Sequence, residues 1–236
     1  MSTTRTVFAS TDALAAELVH QTIAAAEAAI AARGVFTMAL TGGSVVSATH
    51  PVLAQAPLPW SKVHIFFGDE RCVPGDHADS NHKLAVDTFL SKPGLALATV
   101  HRMRGEDDPT QAAFAYEAAL LEVTRGTGSL DVIHVGMGPD GHVCSLFPGH
   151  ALLQEERRLV MPIFDSPKPP PSRITLTLQA LSRARQLFFL VTGANKADAV
   201  TDVVLNPRST LPAALASRRG ATVRWMMDAD AARGLK

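Results

Sequence analysis

Leu130-Asp131-Val132-Ile133-His134-Val135-Gly136-Met137-Gly138-Pro139-Asp140-Gly141-His142 is the stretch that decides the fold. A short apolar run, Leu130 to Val135, reads as a buried strand. It passes directly into a loop with glycines at 136, 138 and 141, and the loop ends on a histidine. The same grammar occurs twice upstream. Val35 to Leu40 is a strand-sized run feeding Thr41-Gly42-Gly43-Ser44, and Val63 to Phe67 feeds Gly68-Asp69-Glu70-Arg71. Between the runs lie helical patterns. Leu14, Leu18, Val19, Ile23, Ala26 and Ile30 share one helical face, with Arg33-Gly34 as its stop. Asp108-Pro109 starts another helix, with Asp as cap and Pro at the first helical position, running to Thr124 with Ala113, Tyr116, Leu120 and Leu121 inward.

Further strands are expected at Val160 to Phe164, Ile174 to Leu178, Leu187 to Thr192 and Val223 to Met226, with a helix over Asn195 to Leu205. Alternating strands and helices predict an α/β fold: a mostly parallel, doubly wound sheet with helices on both faces. With no repeat and no linker, residues 1–236 are read as one domain. Ligands of such sheets bind beyond the carboxyl ends of the strands. The three polar loops, far apart in sequence, are therefore expected to converge at one sheet edge.

Composition narrows the function. Of 236 residues, 47% are hydrophobic, which is enough for a sizeable core; 22 Lys and Arg balance 22 Asp and Glu. Nucleic-acid and membrane-surface binding usually require a basic excess, so neither is expected. The amino terminus lacks the apolar core of a secretory signal, and no apolar run is long enough to span a bilayer. The two cysteines, Cys72 and Cys144, have no CxxC spacing, so the expected compartment is a reducing cytoplasm.

Each loop has a chemical and a plain reading. Gly42, Gly43 and Ser44 can present backbone N–H groups to an anion at a helix start, or simply form a capped turn. Asp69 and Arg71 can be site charges or a solvated ion pair. In Asp79-Ser80-Asn81 the next helix finds its cap, Asn81 being sufficient. His142 has the proton affinity of a general base near neutral pH, with Asp140 or Asp69 to fix its tautomer, or it is a surface turn residue. A metal role is not favoured, because no HxH or HxxxH pair accompanies it. Lys168 and Arg173 flank a stiff triple proline, as an anion clamp or as two solvated cations.

Taken together, Leu40 to Ser44, Val63 to Asn81, Leu130 to His150 and Lys168 to Lys196 resemble the 6-phosphogluconolactonase family. The resemblance spans nearly the whole chain in order. It implies a fold shared with glucosamine-6-phosphate deaminases and ribose-5-phosphate isomerases. The implied activity is hydrolysis of 6-phospho-D-glucono-1,5-lactone in the oxidative pentose phosphate pathway, with no cofactor. On this sequence His142 matches the family's base, Asp69 and Arg71 its active-site charges, and Gly43, Ser44, Lys168 and Arg173 its substrate or phosphate contacts. The expected partner is a small sugar phosphate, and the expected state a monomer or weak homo-oligomer. Val45-Val46 stands where the family often has Thr-Pro. Deaminases of similar fold typically carry Glu five residues after the histidine. Here that residue is Phe147, which argues against deamination. A non-catalytic sugar-phosphate sensor is the remaining alternative, and the presence of His142 argues against it.

Overall fold

The computed structural model describes residues 2–93, 95 and 99–235. Seven parallel strands form its main sheet: β1 (Ser2–Phe8), β2 (Phe36–Leu40), β3 (Val63–Phe67), β5 (Thr99–Val100), β6 (Val132–Gly136), β9 (Gln186–Val191) and β10 (Thr222–Asp228). A second, antiparallel sheet holds β4 (Asp69–Arg71), β7 (Val160–Ile163) and β8 (Arg173–Leu176). The main sheet runs β1-β10-β9-β6-β2-β3-β5. From β2 the chain moves outward to β3 and β5, and from β6 it moves the other way to β9 and β10. The reversal lies between β2 and β6, so the loops leaving these two strands open away from each other and leave a crevice.

The inner strands are apolar on both sides because helices cover both faces. One face packs α1 (Thr11–Arg33), α2 (Val46–Leu53) and α3 (Asn81–Ala85) against Met38, Leu40, Ile65, Phe67, Phe188 and Leu190. The other packs α4 (Pro109–Val123), α5 (Leu178–Arg183), α6 (Ala197–Leu205) and α7 (Pro212–Arg219) against Ile133, Val135, Leu187, Phe189 and Trp225. The doubly wound expectation is borne out.

Local chemistry sets the helix ends. Asp108 accepts from Gln111 N at 2.9 Å with Pro109 at the first position, and Gly34 closes α1 in the left-handed conformation at φ 82°. In α1, Leu14, Leu18 and Ala26 are buried, whereas Val19, Ile23 and Ile30 only flank the core. Leu121 is likewise half-buried, unlike Ala113, Tyr116 and Leu120. Two expected elements need correction. Ser80, not Asn81, caps α3, with its Oγ accepting from Lys83 N at 3.2 Å. The strand at Ile174 stops at Leu176, because Thr177 caps α5 and Leu178 is its first residue. Beyond the strands expected from the sequence, the structure adds β4, β5 and, at the sheet edge, β1. The residues of β1 are nearly all exposed, so no burial pattern marks it; parallel pairing with β10, with Phe8 packed against the core, holds it at the sheet edge.

Candidate active site

The loops after β2, β3 and β6 do converge, around a cleft of about 350 Å³. Gly42, Gly43 and Ser44 form one wall. Asp69 and Arg71 form the second, and Gly138 and His142 the third. Lys168 and Arg173 close the cleft from the antiparallel sheet and its proline-rich strap. Asp140, of the same loop, holds His142 from behind. The first and third walls are tied together where Gly136 N donates to Thr41 Oγ1 at 3.1 Å.

The β6 loop is a scaffold for one pair of side chains. Gly138 N donates to His142 O at 2.9 Å, and Gly141 N to Gly138 O at 3.0 Å, across a left-handed Gly141 at φ 78°. Ala213 N, in the first turn of α7, donates to Gly141 O and fixes the loop from outside. A Cβ at Gly138 would overlap the His142 ring and the Asp140 carboxylate, so only glycine leaves room for them. Asp140 Oδ1 then lies 2.5 Å from His142 Nδ1. At that separation the nitrogen must carry a proton, since two facing lone pairs would repel. Asp140 rather than Asp69 is thus the tautomer-fixing carboxylate. Nε2 is left as the basic nitrogen and has no hydrogen-bond partner among the described residues.

Electrostatics keep this imidazole neutral. Burial pushes the His142 pKa below its ordinary value; Asp140 and Asp69 raise it and Lys168 lowers it, the net being downward. Burial opposes ionisation of Asp140, but the bonds and charges of His142 and Lys168 outweigh it and hold the carboxyl down at about 2. One face of the imidazole packs on Phe147, ring centroids 4.9 Å apart.

Asp69 serves as a hub. It accepts from Ser145 Oγ at 2.7 Å and from Asn81 Nδ2 at 3.1 Å, and the Arg173 guanidinium lies 3.9 Å away. Its neighbour Glu70 points the other way. The Glu70 carboxylate accepts from Asn81 N, His82 N and Ser80 Oγ at 2.7, 2.8 and 2.9 Å, neutralising the amino end of α3. Burial raises its pKa against these bonds. Arg71 donates to Asp79 O at 2.5 Å and still lines the cleft. Arg173 is buried. It gives Nε to Pro170 O at 3.1 Å, Nη2 to Lys168 O at 3.2 Å and Pro169 O at 3.0 Å, and Nη1 to Ser145 Oγ at 3.5 Å. Most of its donors therefore hold the strap that carries Lys168.

Lys196 and Asn81 line the cleft without having been singled out as site residues in the sequence. Lys196 follows β9, at the same carboxyl edge as the other loops, and burial and Lys168 both lower its pKa. Asn81 passes its Nδ2 to Asp69, and its Oδ1 lies where a Cβ on Gly42 would fall. Cys144 also lines the cleft; burial and the nearby Asp69 raise its pKa well above the ordinary value, so it stays a thiol. Both cysteines are free.

Residues 9–225 match the family described as glucosamine-6-phosphate isomerases/6-phosphogluconolactonase. The chain belongs to this family. It is 41% identical over 245 residues to the 6-phosphogluconolactonase of Mycobacterium tuberculosis, with 98% of each chain covered. With the 6-phosphogluconolactonase of Rattus norvegicus it shares 40% identity over 211 residues, covering 85% of this chain and 81% of the relative. The crystal structure of 6-phosphogluconolactonase from Thermotoga maritima superposes with a TM-score of 0.84 at 26% identity, covering 96% of this chain and all, 100%, of that one. A monomeric glucosamine-6-phosphate deaminase shares the fold at a TM-score of 0.80 and 18% identity. The expectation of an enzyme of this family is thereby borne out, and the two relatives it matches at 40–41% identity are both named 6-phosphogluconolactonase. Among the described residues no helix is long and apolar enough to cross a membrane.

Proposed function

We propose that the protein hydrolyses 6-phospho-D-glucono-1,5-lactone to 6-phosphogluconate, with water activated by His142. The observation that carries this reading is the His142–Asp140 pair at 2.5 Å, set in a cleft lined by Arg71, Lys168, Arg173 and Lys196. A neutral base beside four cations suits an anionic substrate that is opened by water.

Nε2 of His142 takes a proton from water as its oxygen attacks C1 of the lactone. Negative charge moves to the carbonyl oxygen, where Arg71 or a loop N–H donates to it. As the tetrahedral intermediate collapses, the C1–ring oxygen bond breaks and His142 returns the proton to the departing ring oxygen. Asp140 stabilises the imidazolium between the two transfers. The phosphate lies against the Gly42-Gly43-Ser44 turn with Lys168 and Lys196. Arg173 adds charge to that wall while bracing the strap. Binding energy from the phosphate holds C1 at the base. The position where deaminases typically carry Glu is the buried Phe147 packed on His142, which offers no proton carrier.

The test is an assay on freshly generated 6-phosphogluconolactone, corrected for spontaneous opening. Turnover that saturates with substrate and needs no added cofactor is expected. A rate no faster than the spontaneous one would overturn the reading.

A further inference from the structure

The Lys168 ammonium makes contacts that a simple phosphate ligand does not need. Its Nζ lies 3.2 Å from each Asp140 oxygen and 3.1 Å from His142 Nδ1. With the Nδ1 proton committed to Asp140, that nitrogen cannot accept from Lys168. The cation is therefore bound to the carboxylate and pressed against a ring it repels. Its backbone is fixed: Lys168 O accepts from Arg173 Nη2 and Ser166 Oγ, and Lys168 N donates to Ser166 Oγ at 3.2 Å. The side chain, in contrast, is 37% exposed and lines the cleft. A long flexible stem on a rigid base can turn its ammonium from one anion to another without moving the strap.

We propose that Lys168 couples substrate capture to the base: it pairs with Asp140, and an arriving phosphate draws it off, leaving Asp140 to His142 alone. The proposal rests on the reading of the cleft as a phosphosugar site. Two effects then act in the same direction. The cation that disfavours protonated His142 is neutralised, and Asp140 gives its full charge to the imidazole. The base becomes more basic when substrate is present and stays weak when the cleft is empty. The other charged groups around the ring do not oppose this. Asp69 raises its proton affinity already, Lys196 lines the same cleft beside Lys168, and Arg173 stands behind Phe147.

The experiment follows the His142 ring nitrogens by NMR through a pH titration, with and without saturating inorganic phosphate or 6-phosphogluconate. In the wild type either anion should move the midpoint upward. Lys168→Met should move it upward with no ligand, and anion at saturation should then add less than in the wild type. Lys168→Arg should keep a ligand-dependent shift. Kinetics give a second readout. The acid limb of kcat should lie at higher pH than that of kcat/KM in the wild type, and the two should draw together in Lys168→Met. An unliganded midpoint unchanged in Lys168→Met would overturn the proposal, as would equal ligand shifts in both proteins. The titration with inorganic phosphate needs no turnover. Failure of the lactone assay would thus remove the substrate assignment without touching the charge coupling, and normal turnover without coupling would remove only the latter.

Discussion

The imidazole of His142 has one nitrogen committed to Asp140 and the other without a protein partner among the described residues. A group so placed contributes chiefly to the chemical step. His142→Ala is expected to lower kcat by about 10²–10⁴-fold, the usual worth of a general base, while 6-phosphogluconate binds nearly as before. Steady-state kinetics and product titration check both halves, and near-normal turnover would remove His142 from the mechanism. The pH profile has a definite direction. Since the pKa of His142 is lowered, the base stays unprotonated below the ordinary imidazole range, and the acid limb of kcat/KM falls below about pH 6.5. Asp140→Asn removes the charge that supports protonation, so it should move that limb further toward acid and also slow the reaction. Lys196 belongs to the other half of the cleft. The phosphate is remote from C1 and changes little in the transition state, so Lys196→Ala should act on KM, raising it about 10- to 100-fold, with kcat nearly kept. Equal losses on phosphorylated and unphosphorylated lactone would show that Lys196 does not read the phosphate.

At the scale of elements, catalysis depends on loops whose backbones leave no slack. Gly138→Ala places a methyl group in the space of the His142 ring and the Asp140 carboxylate. The loop must shift, and a displacement of about 1 Å at a reacting group costs roughly 10²-fold in rate. Circular dichroism and melting should stay close to wild type, because the loop lies beyond the buried strands; a fully active variant would contradict this account. These elements also show how far the sequence could be read. Strands β2, β3, β6, β9 and β10 are legible because helices bury both their faces, which makes each an apolar run. Strand β1 is polar and exposed at the edge, so it has no such signature. Strand β4 of the antiparallel sheet escapes for another reason. In β4 three charged residues carry a ladder whose partners lie over a hundred positions away, Asp69 opposite Thr175 and Arg71 opposite Arg173. The site was legible where glycine punctuates a strand end, at residues 42–44 and 136–142. It was not legible at Asn81, which resembles a helix cap, nor at Lys196, which reads as part of the helix start before α6.

Across the whole molecule, one face of the sheet hides two histidines whose role is opposite to that of His142. His134 on β6 is fully buried, with both ring nitrogens unpartnered among the described residues, and its ring stacks on Phe188 at 6.1 Å. His50 on α2 is also buried; Nδ1 meets Thr88 Oγ1 at 3.1 Å and Nε2 has no partner among the described residues. Burial pushes His50 down to about 4, and burial with the nearby His50 pushes His134 down to about 3. Both are therefore neutral in the fold, whereas in the unfolded chain they titrate at about 6.5. Above that pH they add no pH dependence. As pH falls below it, the unfolded chain binds protons that the fold excludes, and stability drops until the folded-state values are reached. By about pH 5 each group costs about 2 kcal/mol, a large part of an ordinary domain's stability. The helix that carries His50 begins just after Ser44, so acid should loosen the Gly42-Gly43-Ser44 turn along with the sheet. Urea unfolding at neutral pH and near pH 5 measures the effect. Wild type should lose stability steeply over this interval. His134→Leu removes one excluded proton and puts an apolar side chain among apolar neighbours, so it should be close to wild type at neutral pH and lose less in acid. An equally steep loss in the variant would mean that His134 does not set the acid limit of the fold.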